Sequence, residues 1–306
     1  GGFFRLFSTP AFDLNKDMHL DLGNFFLEAG TTIPDLPRIV VGYEHRFKEG
    51  EKSLFEWGSV SEGVLTRKLF PSFKEMDEKL DIFKVEVEHD IGKVKAGNRF
   101  RFERYKTGTT RYEQERNLDA GTSETVTISE KNSHDALFNT FYLESHLNEK
   151  IYLSFGYLLN DLEGDAAFRM MTLPFGPEPF DKNWFTRSVD LDQKSHVLNL
   201  NTLVGPFHRL SFHGGIQAEL TETEGDTDAV LTETAFGGGV ASPQAQIRSR
   251  IDKKGLEETV GVRYSGIPHT SLYAEGKWTQ QGIDLFEREM EDAGPAFERF
   301  TDTEVD

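Results

Sequence analysis

Residues 79–105 read KLDIFKVEVEHDIGKVKAGNRFRFERY, two runs in which apolar and charged residues alternate around a short turn. Side chains of an extended strand point to opposite faces with period two, so this pattern dictates a hairpin with two unlike faces. Phe83, Val85 and Val87 share one face, and Lys84, Glu86 and Glu88 share the other. In the second run Phe100 and Phe102 fall together, and Arg99, Arg101 and Glu103 fall opposite. A four-residue turn at Gly92, Lys93, Val94 and Lys95 sets Lys84 against Glu103, Glu86 against Arg101 and Glu88 against Arg99. The same turn brings Val85 to Phe102 and Val87 to Phe100. Opposed charges across a strand pair contribute about 0.2–1 kcal/mol each, and a slip of one residue would carry charge onto the apolar face. The hairpin therefore has a protected register. Its apolar face requires either a protein core or lipid.

The rest of the chain repeats the theme. Turn sequences stand at 48–52 (KEGEK), 92–95, 148–150 (NEK), 205–209 (GPFHR) and 265–270 (SGIPHT). Around NEK, Leu143, Leu147, Ile151, Leu153, Phe155 and Tyr157 share a face. Leu210, Phe212, Ile216, Ala218 and Leu220 alternate with Ser211, His213, Gln217 and Glu219, and Val260, Val262 and Tyr264 precede the SGIPHT turn. The spacing predicts strands of about 9–13 residues, close to the roughly 9–11 that a tilted strand needs to cross a bilayer. Between the hairpins lie polar stretches at 61–78, 107–133, 164–193 and 223–254, rich in Gly, Thr, Asp and Glu. They read as long loops, and loops of such length call for a reason in a compact domain.

Short turns on one side, long loops on the other and amphipathic strands between them predict an all-β fold. The expectation is an antiparallel up-and-down transmembrane β-barrel of about twelve strands. One strand is expected near Phe3–Phe7, and Trp57, Tyr105, Tyr152, Tyr264 and Trp278 are candidates for interfacial girdles. Phe83, Val85, Val87, Phe100 and Phe102 then face lipid. Lys84, Glu86, Glu88, Arg99, Arg101, Glu103, Glu219, Arg263, Glu275 and Lys277 line a wet lumen, where charge sets selectivity or positions an occupant. A soluble antiparallel sheet with one solvated and one covered face is the competing reading of the same alternation. The 306 residues read as one domain, 1–306. The acidic ending ERFTDTEVD, without a terminal aromatic strand, suggests part of a larger barrel, because open edges are not tolerated in lipid.

Composition narrows the classes. The chain carries a formal charge of −18 and no cysteine. No basic stripe suits a nucleic-acid partner. Disulfides, thiolate metal sites and haem attached through C-x-x-C-H are excluded within this chain. No apolar run is long enough for a transmembrane helix. The opening GGFFRLFSTP shows no signal peptide and no Met, as in a processed or trimmed form.

Candidate chemistry is sparse. The run at 237–243 (GGGVASP) lacks the Gly-Lys-Ser/Thr of a phosphate loop and reads as a flexible connection. The stretch at 224–228 (EGDTD) clusters carboxylates that suit calcium but lacks EF-hand spacing, and it reads as a solvated loop. The nine histidines show no H-x-x-x-H or H-E-x-x-H spacing, so no metal site is expected. Ser133–His134 and Ser195–His196 are adjacent, so on a strand each pair splits to opposite faces and forms no dyad. No catalytic residue emerges, and the chain is not read as an enzyme.

Three phrases carry a family resemblance: LPRIVVGYEHRFKEGEKSLFEWG (36–58), SHVLNLNTLVGP (195–206) and LSFHGGIQAE (210–219). In strand length, hairpin phrasing and Gly-aromatic texture they resemble the MtrB/PioB-like porins of the bacterial outer membrane. The resemblance implies a barrel that binds no cofactor itself and sheaths a multihaem cytochrome, whose haem belongs to the partner. Some members of that family carry an N-terminal C-x-x-C, which this chain does not. The expectation is thus a porin-like barrel in the bacterial outer membrane, in contact with membrane lipid, that sheaths a cytochrome for electron transfer. A general diffusion porin for small solutes is one alternative. A soluble periplasmic or surface β-rich binding protein is another.

Overall fold

The computed structural model describes residues 18–62, 65–117, 122–175, 181–234, 240–241, 244–291 and 294–305. Among the described residues there are strands and turns and no helix. The strands are β1 (Leu20–Thr31), β2 (Arg38–Glu62), β3 (Leu65–Ile91), β4 (Val94–Asn117), β5 (Thr122–Asn148) and β6 (Ile151–Phe175). They continue with β7 (Asp181–Phe207), β8 (Leu210–Thr234), β9 (Val240–Ala241), β10 (Gln244–Tyr264), β11 (Leu272–Glu291) and β12 (Gly294–Val305). Sequence neighbours are spatial neighbours: β1 to β8, then β10, β11 and β12, pair in order in one sheet, and β9 pairs with β8. Every pairing along that path is antiparallel. The fold is all-β and up-and-down, as expected. The sheet has twelve strands, but β9 has only two residues, and Phe3–Phe7 lies outside the described residues.

The strands are far longer than their apolar stripes suggested. β3, β5 and β7 each run 27 residues, a reach of about 85–90 Å at ~3.3 Å per residue. The stretches read as long loops are strand instead. The described residues 107–117 and 122–133 are the far halves of β4 and β5, paired from Thr107↔Asn132 to Asn117↔Thr122. Described residues within 164–193 and 223–254 are likewise strand, and EGDTD lies inside β8 rather than in a loop. KEGEK is no turn: it lies inside β2, where Gly50 at φ 133° sits opposite Leu20. The GGGVASP run falls largely outside the described residues.

The 79–105 hairpin closes two residues tighter than its sequence predicted. Ile91 pairs with Val94 across Gly92-Lys93, and Gly92 has φ 64°, as the first central residue of a type II′ turn requires. Lys84 therefore faces Arg101, Glu86 faces Arg99, Phe83 faces Phe102 and Val85 faces Phe100. A shift of two preserves the faces while exchanging partners.

The sheet is a single layer. Its accessible surface is 20489 Å², against about 13,000 Å² for a compact domain of this length. Phe83 is 42% exposed and Val260 59%, and among the described residues no second layer covers them. The two faces are not equally crowded. Apart from Phe73, the buried described residues lie on the face of Lys84, among them Glu44, Met76, Ile82, Ile128 and Ala136. The Lys84 face is thus the more tightly packed of the two. Among the described residues β1 and β12 are the edges, and no pairing joins them.

Candidate functional site: an apolar band backed by a charged face

The register gathers the five residues Phe83, Val85, Val87, Phe100 and Phe102 on one face. Lys84, Glu86, Glu88, Arg99, Arg101, Glu103, Glu219, Arg263, Glu275 and Lys277 all lie on the other. Followed across the sheet, the Phe83 face carries an apolar band beside the short turns. One row runs Ile39, Val87, Asn98, Phe141, Tyr157, Leu198, Ala218 and Leu256. Another runs Ala96, Leu143, Phe155, Leu200 and Ile216, and after Glu258 reaches Trp278. On β3 the band spans Phe83 to Ile91 with His89 within it, about 27 Å of strand. That matches an outer-membrane barrel's apolar belt of roughly 25 Å.

The band ends abruptly. In the row of Asp81, one ionisable residue comes from each of eight strands: His45, Asp81, Arg104, Asp135, Glu163, Asp192, Glu224 and Arg250. Arg104 grips Asp135 with two hydrogen bonds of 3.0 and 2.8 Å, and that fork holds the carboxyl below its ordinary range. The Tyr43 hydroxyl donates to Asp81 at 2.6 Å and His45 meets the same oxygen at 2.7 Å, so Asp81 is likewise lowered. Ion pairs Arg248–Asp226 at 2.8 Å and Lys194–Asp161 at 3.1 Å flank the row. At this belt apolar residues appear on the opposite face as well, in the row next to that of Asp81 and alternating there with Glu44, Glu103, Gln193 and Thr223. Ile82, Ala136, Leu162, Ile251 and Leu285 share a row on the Lys84 face, with Ile82 and Ala136 each only 1% exposed.

The charged face is stitched across strands. Lys84 and Arg46 both reach the buried Glu44, at 3.2 and 2.6 Å, and Arg99 meets Glu86 at 3.4 Å. Lys95–Glu88 at 3.1 Å, Lys253–Glu219 at 3.0 Å, Lys277–Glu257 at 2.8 Å and an Arg101–Glu103 pair continue the pattern. Arg263 departs from it and donates to the Ser271 hydroxyl at 3.0 Å. Such a face presents alternating charge.

Glycines let large polar groups lie across this face. Tyr142 stands between Gly97 and Gly156 in one row, and its hydroxyl passes over Gly97 to donate to Glu88 at 2.8 Å. His213 repeats the arrangement over Gly261 to meet Glu275 at 2.9 Å, stacked on Tyr273. A Cβ at Gly97 would lie 2.2 Å from the Tyr142 ring. Gly97→Val is therefore expected to cost about 1–3 kcal/mol by overpacking. Most of that cost should vanish in a Tyr142→Ala background, as a double-mutant cycle of denaturant midpoints would report. Sequence reading missed Tyr142, Glu44 and His213. For Tyr142 and His213 the available signal was a glycine on the neighbouring strand at the same level.

Other expectations sort as follows. Tyr264 and Trp278 lie on the Phe83 face, but Tyr105 and Tyr152 lie on the Lys84 face and form no girdle with them. The Trp57 side chain lies outside the described residues. Ser133 and His134 point to opposite faces, as do Ser195, bonded to Thr221 at 2.8 Å, and His196, bonded to Tyr157 at 2.8 Å. Among the described residues no cluster of His, Cys, Asp or Glu is arranged to hold a metal.

No protein-family model matches the chain, and no curated protein matches it. Among solved structures, the chain is similar to the Pseudomonas putida toluene transporter TodX, at 10% identity and a TM-score of 0.27. The alignment covers 88% of this chain and 87% of that one, and at that score it adds nothing to what the strand order shows.

Proposed function

We propose that this chain forms the wall of a porin-like barrel in the bacterial outer membrane, with the Phe83 face against lipid and the Lys84 face around a polar conduit. The apolar band carries the reading: it crosses the sheet on one face of a single layer and stops at a row of charge. A soluble sheet would place such a band under another layer. In lipid the free backbone groups of β1 and β12 require partners, so the reading entails closure into a barrel. The wall performs no chemistry. It excludes lipid from an aqueous bore, and its paired charges set what passes or stays. Filling that bore with a multihaem cytochrome rests on the sequence resemblance alone. Co-purification of a haem-absorbing partner tests it against free diffusion of small solutes.

The absence of native cysteine gives a clean test of the wall itself. Single cysteines at Val85, Phe100 or Phe155 should resist a water-soluble maleimide once the protein is in vesicles. Cysteines at Lys79, Glu163 or Asp192 should label rapidly. Equal labelling of the two sets, or full solubility of the protein without detergent, would overturn the proposal.

A further inference from the structure

The hairpins β3–β4, β5–β6 and β7–β8 turn at the edge where the apolar band ends on its short-turn side. Between them lies an open hollow of about 930 Å³, lined by Lys93, His146, Asn148, Lys150 and Phe207 with Ile151 and the acid Glu149. Lys93 donates to the Leu147 carbonyl at 3.2 Å, and the Lys150 ammonium stands 5.1 Å from the centre of the Phe207 ring. Neither ammonium has a carboxylate partner among the described residues. On the charged face, by contrast, Lys84, Lys95, Lys253 and Lys277 each have one. Ile151 continues from the hollow onto the apolar face, where it opposes Val204.

We propose that this hollow is a binding site for the phosphate of an anionic membrane lipid, whose chains lie along the apolar band. The inference rests on the barrel reading and adds a ligand and an orientation to it. Two ammonium groups with unused donors sit where an apolar stripe of lipid length stops, which is the level of a phosphate plane. At the opposite end of the band the ionisable row also carries Arg104 and Arg250, but on β6 and β7 Glu163, Asp165, Asp190 and Asp192 lie side by side. Along these two strands anionic headgroups are thus attracted at the short-turn end and repelled at the other, and the short-turn edge goes to the leaflet that carries them.

The test is insertion of the full chain from detergent or urea into vesicles, read as the rate of appearance of a heat-modifiable folded form on a gel. Phosphatidylglycerol added to phosphatidylcholine vesicles should accelerate insertion, by about fivefold for each lysine that contributes. Lys93→Gln/Lys150→Gln should insert into pure phosphatidylcholine like the parent and lose the gain. Glu149→Gln should enlarge it. Insertion at equal rates in both lipids, or a gain retained by the double variant, overturns the inference and leaves the barrel standing. An equal gain from inorganic phosphate in the buffer assigns the hollow to free phosphate and overturns the lipid assignment. Failure to enter any vesicle sinks the barrel reading and this inference together.

Discussion

Val87→Arg is expected to lower stability in a bilayer by about 2–4 kcal/mol, the cost of arginine at the midplane of a barrel's lipid face. Val87 is central in the β3 stripe between Phe83 and Ile91, and its row is apolar on most strands. The neighbouring change Glu86→Arg points to the charged face, where it loses the exposed Arg99 pair and sets two like charges opposite each other. It should shift stability by about 1 kcal/mol or less. The measurement is the urea midpoint of folding in vesicles for both variants. A soluble β protein would show the same contrast only if the Val87 face were covered, so a large effect in lipid with none in detergent-free buffer separates the cases. Equal effects from Val87→Arg and Glu86→Arg would refute the facing.

Ile82→Ala is expected to cost about 2–4 kcal/mol, within the range for emptying a buried aliphatic site. The magnitude is unusual for a single-layer sheet and follows from its place. Ile82 is 1% exposed, opposite Glu44 and Glu103, whose partners Arg46, Lys84 and Arg101 crowd the same face. The aliphatic stems of those side chains can cover it while their heads stay wet. Exposed Phe83 is its control: Phe83→Ala should cost far less in detergent, where micelle chains replace the lost contact incompletely but do not leave a sealed cavity. Chemical denaturation of both variants in one detergent checks the difference. Equal costs would show that Ile82 is not sealed.

The division into two faces was legible in the sequence because period-two alternation separates unlike side chains on one strand. It placed all ten charged and all five apolar residues on their respective faces even though the hairpin register was two residues off. What alternation could not show was strand beyond the apolar band. In residues 107–117 and 122–133 neither face carries a continuous apolar stripe, so polarity loses its period while backbone pairing continues unbroken. Hydrophobic patterning reports which side is dry, not whether the chain is extended. The residual signal was composition: threonines at Thr107, Thr109, Thr110, Thr122, Thr125 and Thr127 favour strand without any apolar face. The apolar residues on the opposite face also left a mark. Ile82–Phe83 and Ala136–Leu137 are adjacent apolar pairs at the same level of the sheet, and each puts one member on either face. The tight turn at Gly92 was within reach, since glycine at the first central position of a two-residue loop is the signature of type II′.

The hydrogen-bonded ladder between β4 and β5 extends from Val94↔Ser145 to Asn117↔Thr122 without a break in register. The part of the rim built by β4 and β5, reaching about 40–50 Å beyond the ionic row, is therefore a stiff continuation of the sheet. The ladder of β6 with β7 slips between Ala166 and Phe168, and that of β7 with β8 between Thr186 and Val189. Bulges bend a strand, so any flexing of the rim gathers at such places and not along the β4–β5 girder.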